Sequence, residues 1–198
     1  MQIAVLASGS GTNLQAIIDA VKSGELKDTK ISLVISNKND AFALKRAERE
    51  GIKAIFLNPK EFSTNTKFDK KIIELIKEDN IDLIILAGYL RILTEELTNT
   101  FPNKIINIHP SLLPKFGGKG MYGLKVHEAV LKSGEKETGC TVHYVINEVD
   151  AGPIILQKKV PVIPEDTVKT LADRVLAEEH KLLIESIKKI GLSLEVRT

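Results

Sequence analysis

Four apolar runs, the first three each followed by a stretch with helical spacing, leave this chain few folds to choose from. Ile3 to Ala7 leads into a helical stretch from Asn13 to Lys22, and Ile31 to Ile35 into Ala41 to Glu50. Ala54 to Leu57 precedes a helical stretch from Phe68 to Lys77, and Ile81 to Ala87 is the run richest in branched aliphatics. Strands that do not alternate apolar with polar residues are buried on both faces, and helices between them supply the cover. The pattern predicts an α/β fold with a mostly parallel sheet between two helical layers.

Beyond Gly118 the pattern changes. A helical stretch from about Lys125 to Lys132 precedes two strands, Thr138 to Ile146 and Ile154 to Val160, and a charged helix runs from about Glu165 to Ile190, stopped near Gly191. Neither repeats nor long linkers interrupt the 198 residues, so one domain with two lobes is expected. The 28 Lys and Arg and 26 Asp and Glu are interspersed, giving a net charge of +2. With no basic block, neither nucleic acid nor a membrane surface is the expected partner, whereas a small anion needs only a local site. Cys140 is the only cysteine, which rules out an intrachain disulfide and a CxxC metal site and fits a cytoplasmic location. The N-terminal apolar run breaks at Ser8 and Gly9, too short for a signal-peptide core or a membrane span.

The first strand runs straight into Ser8-Gly9-Ser10-Gly11-Thr12-Asn13-Leu14. Glycines let the backbone turn and present bare N–H groups, and the helix N-terminus behind them favours an anion. Leu14 stands where a dinucleotide fingerprint has its third glycine, and the second strand ends in Ser36-Asn37 without the ribose-binding acid. A Gly-Lys-Ser/Thr P-loop is also missing. A phosphate monoester therefore fits better than NAD or ATP; the alternative is a plain turn with Thr12 or Asn13 capping the helix.

A second constellation lies at Asn107-Ile108-His109-Pro110-Ser111-Leu112-Leu113-Pro114. Asn107 and His109, two apart on a strand, project from one face, and the prolines stop the strand just after them. Both could instead satisfy loop backbone. Asp150, just before Gly152-Pro153, sits in a loop setting where an acid can orient a histidine; beside His109 it would favour the imidazolium. Its alternative is a bond to its own turn. Cys140 lies within an apolar strand, so the set has an amide, a base and an acid but no evident nucleophile. An amine on the substrate attacking a formyl carbonyl would supply one, and would need an oxyanion donor and a proton shuttle.

With these segments, and with Leu86-Ala87-Gly88-Tyr89-Leu90-Arg91-Ile92-Leu93 and Asp150-Ala151-Gly152-Pro153-Ile154-Ile155, the chain resembles the folate-dependent formyltransferases. Its N-terminal turn and length make it most similar to the phosphoribosylglycinamide formyltransferases among them. The resemblance spans nearly the whole chain. It implies a Rossmann-like twisted sheet, with a nucleotide- and phosphate-binding lobe over residues 1–100 and a catalytic and folate-binding lobe over 101–198.

It further implies formyl transfer from 10-formyltetrahydrofolate to the amine of glycinamide ribonucleotide in purine synthesis, without metal, by a monomer or homodimer. Asn107 would donate to the oxyanion, protonated His109 would polarise the formyl group, and Asp150 would hold His109 and relay the amine's proton. Gly11, Thr12 and Asn13 would cradle the phosphate, and Glu179 would contact the ribose unless it is one more solvated charge. Leu90, Arg91, Ile92 and Leu93, with Ile146, Asn147, Glu148 and Val149, would form the folate pocket. Thr141 and His143, on one strand face, would support the site from behind.

Two departures stand out. The loop from Lys115 to Gly123 is longer and richer in glycine than in many relatives, either a lid or a surface excursion. Asn65 and Lys67 occupy a stretch where some relatives carry an arginine for the folate's glutamate tail. A methionyl-tRNA formyltransferase is expected to carry a further C-terminal domain. A 10-formyltetrahydrofolate hydrolase usually carries an N-terminal regulatory domain, and a binding module without catalysis has no use for the amide, base and acid.

Overall fold

The apolar runs pair side by side into one seven-stranded sheet. The computed structural model describes residues 1–195. In chain order the elements are β1 (Gln2–Leu6), α1 (Thr12–Lys22), β2 (Lys30–Ser36), α2 (Phe42–Arg49), β3 (Lys53–Phe56), α3 (Asn65–Glu78) and β4 (Leu83–Leu86). Then follow α4 (Glu95–Thr100), β5 (Ile105–His109), α5 (Leu124–Ser133), β6 (Glu137–Tyr144), β7 (Ile154–Pro161) and α6 (Val168–Glu195). The strand order is β3-β2-β1-β4-β5-β6-β7. Pairs from β3 to β5 are parallel; β6 and β7 join antiparallel at one end.

Successive strand residues face opposite sides, so each run feeds two cores. Ile3, Val5, Val34, Leu83, Ile85 and Ile106 meet Leu14 and Ile17 of α1, Leu44 of α2, Val130 of α5 and Leu183 of α6. Ala4, Leu6, Leu33, Ile35, Ile84 and Ile105 meet Phe68, Ile72 and Ile76 of α3 and Leu97 of α4. Phe68 is fully buried, so its truncation to alanine costs roughly 3–5 kcal/mol.

The chain leaves β1 toward β2 on one side and returns to β4 on the other. Strand order therefore reverses between β1 and β4, which opens a crevice at their carboxyl ends, the usual place for a ligand in such a sheet. The site residues lie there and at the end of neighbouring β5.

The observed elements differ from expectation in three places. Helix α6 passes through Gly191 to Glu195. Glycine ends a helix by turning left-handed, and Gly191 is not among the positive-φ glycines; the buried Ile187 and Ile190 carry the helix across it. Strand β6 ends at Tyr144, two residues early, although Val145 still donates its N–H to the Ile105 carbonyl at 2.9 Å. Helix α4, six residues long, is too short to show a period, although Thr94 before Glu95 and Glu96 is a readable start signal.

Candidate active site

Strand pairing builds the reactive end of the crevice. In the β5–β6 register Asn107 faces His143 and His109 faces Thr141, so two strands distant in sequence deliver their side chains to one place. Asp150 arrives from the loop between β6 and β7 with φ +57°, a left-handed conformation that aspartate tolerates better than most residues. Its Oδ2 lies 3.5 Å from Nδ1 of His109, and its Oδ1 lies 3.5 Å from Nδ2 of Asn107.

Each polar partner fixes a proton. The Phe116 carbonyl can only accept, so Nε2 of His109, 2.8 Å away, carries the hydrogen. The Tyr144 carbonyl does the same for Nδ1 of His143 at 2.9 Å, which leaves Nε2 of His143 to accept from the Asn107 amide at 3.1 Å. His143 thereby orients Asn107, with one N–H on the His143 ring and the other directed at Oδ1 of Asp150. The acid does not bond its own turn; Oδ2 accepts the N–H of Gly118 at 2.9 Å. Gly117 beside it has no room for a side chain, since a Cβ would meet Leu113 at 2.5 Å and Asp150 at 3.3 Å.

Burial pushes the Asp150 carboxyl upward. The His143 ring, His109 when protonated and the Gly118 N–H together outweigh it and hold the group below the usual carboxylate range. For His109 the balance goes the other way. Burial lowers it, and the opposing pull of Asp150 and the Phe116 carbonyl does not restore the ordinary value. Burial thus works against the expected imidazolium, and Nδ1 of the ring faces the Asp150 carboxylate. His127, buried on α5, is held at about 4 by burial and by His109.

The supporting residues divide. Thr141 turns its hydroxyl away, donating to the Ser111 carbonyl at 2.6 Å and accepting from Leu113 at 3.1 Å and Gln157 at 2.9 Å. It fixes the bend after His109. Ser111 donates to the Lys115 carbonyl at 2.6 Å, and Cys140 is fully buried with its thiol pushed up to about 12 by burial first and the α6 carboxylates second. Neither is poised as a nucleophile.

At the glycine turn, Gly11 is the helix cap at φ +68° and no side chain caps α1, so the alternative of a Thr12 or Asn13 cap is not realised. A Cβ on Gly11 would lie 2.7 Å from that of Ala43, so α2 packs directly on the turn. Ala43 donates its N–H to the Gly9 carbonyl at 3.1 Å, and Arg46 donates to the Ser10 carbonyl at 2.9 Å. These bonds draw the carbonyls backward and leave the first N–H groups of α1 facing outward. Nothing near Arg46 in sequence announces this role. Asn13 gives its amide to Glu179 at 2.8 Å. Glu179 is only 8% exposed and burial raises its carboxyl, so it is not a solvated charge on a helix face.

Over the catalytic residues opens a cleft of about 420 Å³. Leu90, Arg91, Ile92 and Leu93 form one wall, Ile146, Asn147 and Val149 another, and Asn107, His109, His143 and Asp150 the floor. Glu148, expected here, does not line it. The loop from Gly118 to Gly123 closes a third side with Lys119, Met121 and Tyr122, so it is no detached excursion. Leu90, Ile92, Tyr122 and Ile146 are all exposed, an apolar mouth suited to a flat ring system. Among the described residues no cluster of three or more His, Cys, Asp or Glu is placed around a common metal position, and no helix is long and apolar enough to cross a membrane.

A family model described as formyl transferase matches residues 1–187. The chain is 47% identical over 182 residues to phosphoribosylglycinamide formyltransferase of Haemophilus influenzae, covering 91% of this chain and 82% of that one. It is 44% identical over 191 residues to the trifunctional purine biosynthetic protein adenosine-3 of Gallus gallus, covering 96% of this chain and 18% of that longer protein. Among solved structures, glycinamide ribonucleotide transformylase 1 of Symbiobacterium toebii superposes with a TM-score of 0.89 at 45% identity, over 94% of this chain and 85% of that one.

Proposed function

The chain belongs to the formyl transferase family, and on that premise we propose how it moves a formyl group. It transfers the group from 10-formyltetrahydrofolate to the amine of glycinamide ribonucleotide, giving formylglycinamide ribonucleotide and tetrahydrofolate in purine biosynthesis, as its named relatives indicate. The observation that carries the mechanism is the meeting of Asn107, His109 and Asp150 at the floor of an apolar cleft. A cytoplasmic setting fits a chain whose one thiol is buried.

The folate ring lies between the Leu90–Leu93 and Ile146–Val149 walls, and the ribonucleotide phosphate rests on the N–H groups of Gly11, Thr12 and Asn13, with Glu179 at the ribose. Residues 1–100 thus hold the phosphate, and residues 101–198 add Glu179 at the ribose, supply the reactive groups and share the folate cleft. As the amine attacks, the carbonyl electron pair moves to oxygen, which takes one Asn107 N–H over from Asp150 and the His109 Nε2–H over from the Phe116 carbonyl. The amine's proton passes through water and Asp150 to Nδ1 of His109. The imidazolium, stabilised by Asp150, then gives its Nε2 proton to the departing folate nitrogen and the carbon–nitrogen bond breaks. His109 thus starts neutral, which its burial favours.

Tetrahydrofolate release from 10-formyltetrahydrofolate, followed by absorbance with and without glycinamide ribonucleotide, tests this reading. Turnover only with the ribonucleotide is expected. Equal turnover without it means a hydrolase, and none in either case means a binding module.

A further inference from the structure

The two walls of the cleft meet behind it. Helix α4 continues directly from the Leu90–Leu93 wall, and its Leu97, with Phe101 just beyond it, belongs to the core cluster against which Leu93 and Val145 both pack. Val145 is the last residue before the opposite wall, Ile146 to Val149. One short helix therefore backs both sides of the slot, although the walls lie far apart in sequence.

The opposite wall has little else to hold it. Ile146, Asn147 and Glu148 are exposed, and Ala151 gives its N–H to the Glu148 carbonyl at 3.4 Å, a bond within the loop itself. Among the described residues, the hydrogen bond that joins Ile146–Val149 to the rest of the protein is the one from the Thr98 hydroxyl to Oδ1 of Asn147. Thr98 is 6% exposed and does not line the cleft, whereas Asn147 does. The Thr94 and Glu95 carbonyls stand 3.3 and 3.1 Å from the same hydroxyl. A threonine inside a helix satisfies its hydroxyl on such a carbonyl without help, so the bond to Asn147 serves the loop rather than the helix. A hydroxyl has one hydrogen and two lone pairs: with the amide turned over, Asn147 donates and the hydrogen goes to Glu95. The tie holds in both arrangements.

We propose that Thr98 is a positioning residue for folate: through the Asn147 side chain it fixes the Ile146–Val149 wall at a set spacing from the Leu90–Leu93 wall. The proposal rests on the reading of this cleft as the folate site. The tie acts before the ring system enters, and a wall already in place reduces the ordering that binding must supply.

The test pairs hydrogen exchange of the Ile146–Val149 amides in the free protein with titration of tetrahydrofolate. It uses wild type, Thr98→Val, Thr98→Ser, Asn147→Ala and the double variant of Thr98→Val with Asn147→Ala. Valine is branched like threonine, so Thr98→Val removes the hydroxyl and keeps the space filled. In Thr98→Val and Asn147→Ala, exchange without ligand should quicken about five-fold and the Kd for tetrahydrofolate should rise about five-fold, the scale of one neutral hydrogen bond. The double variant should match these two, and Thr98→Ser, which keeps the hydroxyl, should match wild type. The ribonucleotide KM and kcat should stay within about two-fold, since the floor and the glycine turn keep their bonds. A weaker Kd in Asn147→Ala with unchanged exchange would make Asn147 a folate ligand and overturn the tie. Effects that multiply in the double variant would mean that Thr98 acts by a route other than Asn147. Faster exchange with an unchanged Kd would show a tie that does not serve folate, and a joint rise in Kd and ribonucleotide KM with a lower melting temperature would show a general loss of packing. Each of these overturns the proposal. A wild type that binds no tetrahydrofolate would overturn the reading of the cleft first, and the proposal with it.

Discussion

The glycine turn and the catalytic floor solve opposite problems with opposite materials. The turn consists of backbone: Gly11 at φ +68°, bare N–H groups at the head of α1, and α2 behind it. The floor consists of side chains brought together from β5, β6 and the loop before β7. Charge on a phosphate is fixed, so a rigid set of dipoles suffices for it. Protons in the reaction move, so the floor needs groups whose protonation can change and neighbours that decide when. Damage to the turn should therefore appear in binding, and damage to the floor in turnover.

Asp150→Asn is the strongest way to break that contrast. Asparagine tolerates the positive φ and can still accept the Gly118 N–H, so the fold and folate binding persist. Turnover should fall by roughly 10²- to 10⁴-fold, the usual contribution of a positioned acid or base. Stopped-flow rates beside folate titrations check this, and wild-type turnover would remove Asp150 from the proton path.

Acid should injure the floor's half of the molecule first. His127 is held at about 4, below its ordinary 6.5, so between those values the unfolded chain binds a proton that the folded chain refuses. Stability then falls as pH drops from 6.5 toward 4, by on the order of 3 kcal/mol from this group. His109 and His180, also lowered, act with the same sign. Urea unfolding at several pH values should show the slope, and His127→Gln should flatten it; an unchanged slope would mean that His127 protonates freely in the folded state.

Gly11→Ala sharpens the contrast from the other side. The added methyl meets Ala43 and the left-handed backbone disfavours it, at a cost of roughly 1–2 kcal/mol. The ribonucleotide KM should rise about ten-fold, the effect of losing roughly 1.4 kcal/mol of binding, while folate KM stays near wild type. Equal loss for both substrates would show that the turn supports the whole crevice. The smallest effect belongs to Cys140. With its thiol near 12 and fully buried, it should resist alkylation in the native state, as mass spectrometry would show, and Cys140→Ala should keep kcat within about two-fold because the change leaves every bond of the floor in place.

The same contrast explains what could be read from the sequence. A backbone device leaves glycines in a row after a strand, so Ser8 to Leu14 was legible, as were the strands whose apolar runs feed two cores. Asn107 and His109 were legible because strand spacing alone puts them on one face. The hydrogen bond from Asn107 to His143 spans 36 positions and depends on register between β5 and β6, which no local pattern states. Arg46 reaching Ser10 and Gly118 reaching Asp150 are equally non-local. The continuation of α6 through Gly191 is set by what Ile187 and Ile190 pack against, and the downward pull on His109 by burial.

The register of β5 against β6 has a further consequence. A slip of one residue turns every side chain of a strand to the other face. The slipped pair could still form a hydrogen-bonded sheet, but Asn107 would lose His143 and the floor would come apart. Catalytic output is therefore a census of correctly assembled molecules: in a refolded sample, active-site titration set against total protein counts the chains whose last antiparallel strands found their proper partners, a quantity that circular dichroism, seeing only sheet, would miss.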